Sequence, residues 1–295
     1  MTEVPPEHRP TSMVFQSYAL FPYMNVASNV GYGLRLKKLS KLEISKRTDA
    51  MLELVGLRGF AARMPHELSG GQQQRMQLAR SLVLERDILL LDEPLAAHAA
   101  QLRKEMCFEL KRIQQEVGIT FVHVTHNQAE AMTVADQVAL TSAGKLIEEG
   151  TPRAMFEHPK RQFTADFIGD NNVFSGTVTE TSSTNALLDI GHAQLSMSHQ
   201  NISCLVGARA GASLRSEHLA VLPTDAPVPH ASQQIMSGTF IKECYFGFTS
   251  TSVIRLPDGQ DVTVRQLTSS ERVQLEPGQT VNLTWRAENA RLHLD

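Results

Sequence analysis

Cysteine is scarce in this chain of 295 residues: Cys107, Cys204 and Cys244 stand far apart, with no Cys-x-x-Cys spacing. That excludes a disulfide framework and a cysteine zinc site, and the three read as reduced thiols. No apolar run approaches the roughly 20 residues that a membrane-spanning helix needs. The opening Met1 to Pro10 has neither the basic start nor the apolar stretch of a signal peptide. Any membrane role is therefore expected to come through a partner protein. An excess of positive charge is missing too: the net charge is −3, which removes the electrostatic argument for nucleic acid or anionic lipid. The eleven histidines are scattered, not clustered.

What remains is ordinary for a globular protein, 42% hydrophobic and 20% charged, with length enough for two domains. The two halves follow different patterns. From Asn25 to about Phe167, helical stretches (Lys41 to Val55, Gln72 to Leu84, Gln101 to Glu116, Gln128 to Ala135) alternate with short apolar runs. Ile88 to Leu91 and Ile119 to Val124 are such runs, and Val138 to Thr141 is a further one closed by a turn. Uninterrupted aliphatic runs between helices suggest buried parallel strands of an α/β domain. After about Gly169 the segments Thr239 to Tyr245, Thr249 to Leu256, Asp261 to Arg265 and Thr280 to Trp285 are short and β-prone. Pro257-Asp258-Gly259 and Glu276-Pro277-Gly278 punctuate them as turns. This half reads as a small β-barrel or sandwich, with Pro223 to Gln234 as a surface loop.

Four groups of residues carry chemistry. In Leu68-Ser69-Gly70-Gly71-Gln72-Gln73-Gln74-Arg75, two glycines allow close backbone approach to an anion just where a helix begins. Free amide groups and the helix dipole make that a phosphate site; taken alone, it is also what a plain helix cap looks like. In Ile88-Leu89-Leu90-Leu91-Asp92-Glu93-Pro94, two acids stand at the carboxyl end of a strand, where α/β sheets bind ligands. Asp92 is placed to hold Mg²⁺ and Glu93 to polarise a water as general base; a solvated turn has the same composition. His126 follows the next strand and so falls on the same sheet edge. Gln16, in Met13-Val14-Phe15-Gln16-Ser17-Tyr18, has the reach to contact a metal or a water.

Together, in this order and spacing, these pieces resemble the ATP-binding subunits of ABC transporters. Gln16 matches the Q-loop, Leu68 to Gln72 the LSGGQ signature, Leu90 to Pro94 the Walker B strand with its catalytic Glu93, and His126 the switch histidine. Leu214 to Leu219 and Val281 to Arg286 are similar to the TOBE-type barrel appended to importer ATPases, and Phe167 to Phe174 to the linker of the polyamine, iron and sulfate or sugar importer group. The resemblance implies an incomplete P-loop NTPase domain over residues 1–168, with a helical subdomain at about 25–67, followed by an all-β, OB-like TOBE domain over 169–295. It implies ATP and Mg²⁺ as cofactors, with Gln16, Ser69, Gly70, Gly71 and Gln72 touching nucleotide, Asp92 and Gln16 serving the metal, and Glu93 and His126 catalytic. It further implies a second ATP-binding subunit in a head-to-tail dimer, integral-membrane permease subunits and, indirectly, a solute-binding protein. That places the chain in the cytoplasm, peripheral on the inner face of the cell membrane, with polyamine of the spermidine/putrescine type ranked first as cargo.

Two departures bear on activity. The family pattern Gly-x-x-x-x-Gly-Lys-[Ser/Thr] occurs nowhere in these 295 residues, and that loop holds the triphosphate; the expectation is a chain cut inside its first domain, with strands missing and apolar surface bare. Past Glu93 the family continues Ser-Ala-Leu-Asp, where this chain reads Ala96-Ala97-His98-Ala99, so the D-loop Asp is replaced by Ala99. Asn127 follows His126 where Asp is common. The alternative expectations are a non-catalytic docking subunit that lends its signature to an intact partner, and a regulatory binding module using only the β-rich half.

Overall fold

The computed structural model describes residues 3–96, 99–182, 185–198, 206–227, 233–268 and 274–294. Ala97 and His98 of the departing segment, Cys204, and positions 228–232 of the expected loop lie outside the described residues. The chain divides into two compact units, Met1–Asp136 and Gln137–Asp295.

In the first unit, β1 (Thr11–Val14) leads to three helices, α1 (Val26–Val30), α2 (Tyr32–Leu36) and α3 (Lys41–Leu54). Then follow α4 (Gly70–Leu82), β2 (Ile88–Asp92), α5 (Ala100–Val117), β3 (Thr120–Val124) and α6 (Gln128–Val134). The strands form a parallel sheet in the order β1-β2-β3, with Val14 opposite Leu91 and Asp92 opposite Val124. Parallel pairing brings all three carboxyl ends to one edge, so the residues following each strand meet there. Alternation along β2 turns Leu89 and Leu91 into a core with Met76, Leu78, Leu82, Leu110 and Ile113. At that core, burial of each leucine is worth roughly 2 kcal/mol. The opposite face, where Met13, Leu90 and Val122 line up across the sheet, carries 38% exposure at Met13, 45% at Val122 and 53% at Val124.

The second unit opens with the hairpin β4 (Val138–Ser142) and β5 (Lys145–Gly150) and the short helices α7 (Pro152–Glu157) and α8 (Gln162–Phe167). Next come β6 (Asn171–Thr181), β7 (Asn185–Asp189), β8 (Gln194–Ser198), β9 (Arg209–Arg215) and β10 (Ala220–Pro223). The unit ends with β11 (Gln233–Tyr245), β12 (Thr249–Arg255), β13 (Asp261–Leu267), β14 (Thr280–Arg286) and β15 (Ala290–His293). Two antiparallel sheets result, in the orders β15-β9-β6-β7-β8 and β10-β14-β11-β12-β13. Their inner faces share one core, in which Phe174, Leu188, Leu214, Phe240, Ile254, Leu283 and Trp285 are buried. The segment read as a linker, Phe167 to Phe174, is the end of α8 followed by the start of β6. Likewise β11 begins at Gln233, inside the stretch expected to be loop.

Candidate functional site

At the carboxyl edge of the parallel sheet, two residues from the loops after β1 and β3 converge on the carboxylate of a third, which follows β2. Gln16 Nε2 donates to Glu93 Oε2 at 3.4 Å, and His126 Nε2 lies 2.9 Å from Glu93 Oε1. The Glu93 backbone continues the ladder by donating its N–H to the Val124 carbonyl at 3.0 Å, yet its φ is +42°. A left-handed glutamate is uncommon and strained, and such residues concentrate where geometry serves function. Glu93 is about one-quarter exposed and His126 almost fully so, at 28% and 88% of their side chains. The carboxylate is thus partly sheltered while the imidazole stands in solvent.

Asp92, the last residue of β2, is half-buried beside Glu93. Asp92 and Gln16 offer hard oxygen donors of the kind Mg²⁺ takes. No group of three or more His, Cys, Asp or Glu side chains able to hold a metal exists among the described residues. Among the described residues a full protein cage is therefore not formed, but Mg²⁺ bound through one or two side chains would keep waters and phosphate oxygens as its other ligands. The donor set fits that mode.

The Ser69 segment is built as a reciprocal cap. Ser69 Oγ accepts from the Gln72 N–H at 3.4 Å, and Gln72 Oε1 accepts from the Ser69 N–H at 2.9 Å. This arrangement starts α4 at Gly70, two residues earlier than the apolar pattern indicated, because Ser69 satisfies amide groups that otherwise fray. An open cleft of about 450 Å³ lies against Ser69, Gly70 and Gly71, lined also by Tyr18 and by Ala99, Leu102, Glu105 and Met106 around the start of α5.

Sequence reasoning missed how firmly α4 grips the Gln16 loop. Gln77 Nε2 donates to the Phe15 carbonyl at 3.1 Å, Ser81 Oγ to that of Met13 at 3.3 Å and Arg80 Nη1 to that of Ala19 at 2.7 Å. The Arg80 guanidinium also stacks 4.3 Å from the centre of the Phe21 ring, and burial lowers its pKa. The signal was present: positions 77, 80 and 81 share one helical face. Also missed was Glu130, whose buried carboxylate accepts from Thr125 Oγ1 at 2.7 Å. Among the described residues, no hydrogen bond or ion pair ties Ser69, Gly70, Gly71 or Gln72 to the Glu93 cluster; they form a separate surface at the head of α4.

The ABC transporter family profile matches residues 2–96, and that of the TOBE domain residues 212–292. The spermidine/putrescine import ATP-binding protein PotA of Thermobifida fusca is 44% identical over 293 residues, covering 98% of this chain and 75% of that protein. The PotA of Marinobacter nauticus is 40% identical over 288 residues, covering 97% of this chain and 76% of that protein. Among solved structures, cbiO1 from Clostridium perfringens, part of the ABC transporter complex cbiONQ, is 32% identical. It covers 50% of this chain and 60% of its own, with a TM-score of 0.48.

Proposed function

Because the chain belongs to the ATP-binding subunits of ABC transporters and carries a TOBE domain, we propose that it energises an importer whose cargo is a polyamine. The cargo assignment follows the spermidine/putrescine import proteins that it matches over nearly its whole length. Glu93 acts as general base, drawing the proton from the attacking water onto its carboxylate. His126 stabilises the negative charge on the oxygens of the γ-phosphoryl group as it passes to that water, with ADP as the leaving group. Asp92 and Gln16 hold Mg²⁺, which supplies charge neutralisation on the phosphates when bound. Ser69, Gly70, Gly71 and Gln72 present amide groups to the nucleotide of a second ATP-binding subunit arranged head to tail. Permease subunits hold the pair at the inner face of the membrane, and a solute-binding protein delivers cargo to them.

The observation that carries this reading is the convergence of Gln16 and His126 on the Glu93 carboxylate. Its test is phosphate release and spermidine uptake in liposomes containing the chain with its permease subunits and a second ATP-binding subunit. Glu93→Gln is expected to slow phosphate release by roughly 10²- to 10⁴-fold, the usual worth of a positioned general base. Undiminished release in that variant refutes the catalytic assignment. Hydrolysis without spermidine uptake refutes the cargo.

One feature favours a second reading. Ala99 caps α5 with no side-chain hydrogen bond, at the position where the family's D-loop carries Asp. A subunit so altered would serve as a docking partner that lends its Ser69 surface to an intact subunit. Hydrolysis by the mixture, with no MgATP binding by this chain alone, supports that role; absence of hydrolysis in the mixture refutes it.

A further inference from the structure

The contact with Glu93 does not by itself hold His126. An ion pair or hydrogen bond whose imidazole is 88% exposed is worth little in water and costs side-chain entropy. What fixes the loop lies beneath it. Thr125 Oγ1 donates to Glu130 Oε2 at 2.7 Å and accepts from the Asn127 N–H at 3.0 Å. Asn127 Oδ1 in turn accepts from the Glu130 N–H at 3.1 Å. These three bonds form a ring that starts and ends on Glu130. The ring takes one partner from the residue before His126 and one from the residue after it.

The Glu130 carboxylate is itself anchored. Its side chain is 4% exposed, with Oε1 3.5 Å from Arg103 Nε on α5 and Oε2 3.6 Å from His123 Nε2 on β3. One buried acid therefore ties the helix that follows the loop to the first turn of α5 through Arg103, with the His123 imidazole of the preceding strand packed beside it but beyond hydrogen-bond distance. Removing a single partner of a buried charge is costly, because the remaining charge stays desolvated. That makes the Glu130 end of the ring stiff, in contrast to the solvated imidazole that it supports.

We propose that Glu130, acting through Thr125, is the positioning residue that sets where the His126 imidazole stands relative to Glu93. The proposal deepens the reading of His126 as a partner of Glu93 and rests on it. A purely structural role for Glu130, gluing α6 to α5, would leave the imidazole environment unchanged once the chain is folded.

The test uses the full 295-residue chain, labelled with ¹⁵N and free of nucleotide, and follows the ring nitrogens of His126 by long-range ¹H–¹⁵N correlation. His126→Gln identifies the signals and Glu93→Ala, which removes the accepting oxygens, supplies the reference for a broken contact. Thr125→Val, which deletes the bridging hydroxyl at constant shape, is expected to move the His126 signals toward the Glu93→Ala positions. Thr125→Ser keeps the hydroxyl and is expected to leave them in place, and Glu130→Ala is expected to reproduce Thr125→Val. His126 signals that stay put in folded Thr125→Val overturn the proposal, as does an equal shift in Thr125→Ser. Should Glu130→Ala fail to fold, the two Thr125 variants still decide the matter. Nothing in this measurement depends on ATP turnover, so its failure and the failure of the ATPase reading are separately visible.

Discussion

Replacing Ser69 by alanine separates folding from function at the head of α4. The structural cost comes from one capping bond, Gln72 N–H to Ser69 Oγ, which at 3.4 Å is long for an N–H···O contact. The reciprocal bond, from the Ser69 backbone N–H to Gln72 Oε1 at 2.9 Å, survives the substitution because it uses no serine side-chain atom. Loss of an N-cap costs about 0.5–2 kcal/mol, and a long, half-redundant cap belongs at the low end, about 0.5 kcal/mol. For a chain of this size that lowers Tm by roughly 1–2 °C. Leu78→Ala, deep in the same helix and fully buried, serves as the comparison: about 3–5 kcal/mol is expected from lost transfer energy and the cavity left behind. Differential scanning calorimetry of the two variants checks the ordering. In reconstituted complexes, Ser69→Ala is expected to slow phosphate release by about tenfold or more, equivalent to about 1.4 kcal/mol or more of barrier. That exceeds what its folding defect can explain. A Tm loss matching Leu78→Ala, or undiminished phosphate release, refutes the reasoning.

Two further predictions concern buried titratable groups. Burial raises the Cys107 thiol to about 11, with the Glu130 charge adding to the effect and Arg103 opposing it. The folded chain therefore keeps Cys107 protonated where the unfolded chain ionises. Stability from this group is intact below the ordinary thiol range and falls as pH rises from about 9 to about 11; alkylation at pH 8 followed by peptide mass analysis should find Cys107 modified far more slowly than the less buried Cys244. His123 goes the other way: burial holds its pKa below 6.5 even though the Glu130 charge pulls upward. Unfolding then takes up a proton, so stability is lost as pH falls through and below 6.5; thermal melts from pH 7.5 to 5.5 should show a falling Tm whose slope flattens in His123→Gln.

The sequence was most legible where one face or one edge decides. The runs at Ile88 to Leu91 and Ile119 to Val124 became β2 and β3 because uninterrupted aliphatic residues between helices have few other uses. Once those strands are parallel, Glu93 and His126 must share an edge, which the sequence indicated; that they touch is what the structure adds. The β half was less open. Strand β9 is Arg-Ala-Gly-Ala-Ser-Leu-Arg, buried at every position after the first, yet glycine, alanine and serine carry little strand propensity. It is a strand because β6 and β15 pair with it on both sides. Strand β1 showed only as a strand end near Gln16, without bounds, for a similar reason: only Val14 of its four residues is fully buried. The ring around His126 was half visible, since Asn127 and Glu130 stand at helix-capping distance. The contacts that bury Glu130 come from Arg103 and His123, and no local pattern announces them.

The face of the first-unit sheet opposite its core has a solution consequence. Met13, Leu90 and Val122 form a row across three strands, and Val124 and Phe15 extend the apolar patch toward the Glu93 edge. Among the described residues β3 is also an edge strand, so exposed valines adjoin unpaired backbone groups, a combination that templates association. Val122 and Val124, at 45% and 53% exposure, contribute little packing on this face, and surface changes of this kind alter stability by about 0.5 kcal/mol or less. The double variant Val122→Thr, Val124→Lys should therefore melt within a few degrees of the original chain, since threonine remains a good strand former and the lysine charges the edge. Static light scattering over a concentration series should show the original chain associating under conditions where the variant does not. Equal association would mean that this face is not the surface through which copies meet, and a large fall in Tm would mean that the two valines are packed against apolar groups after all.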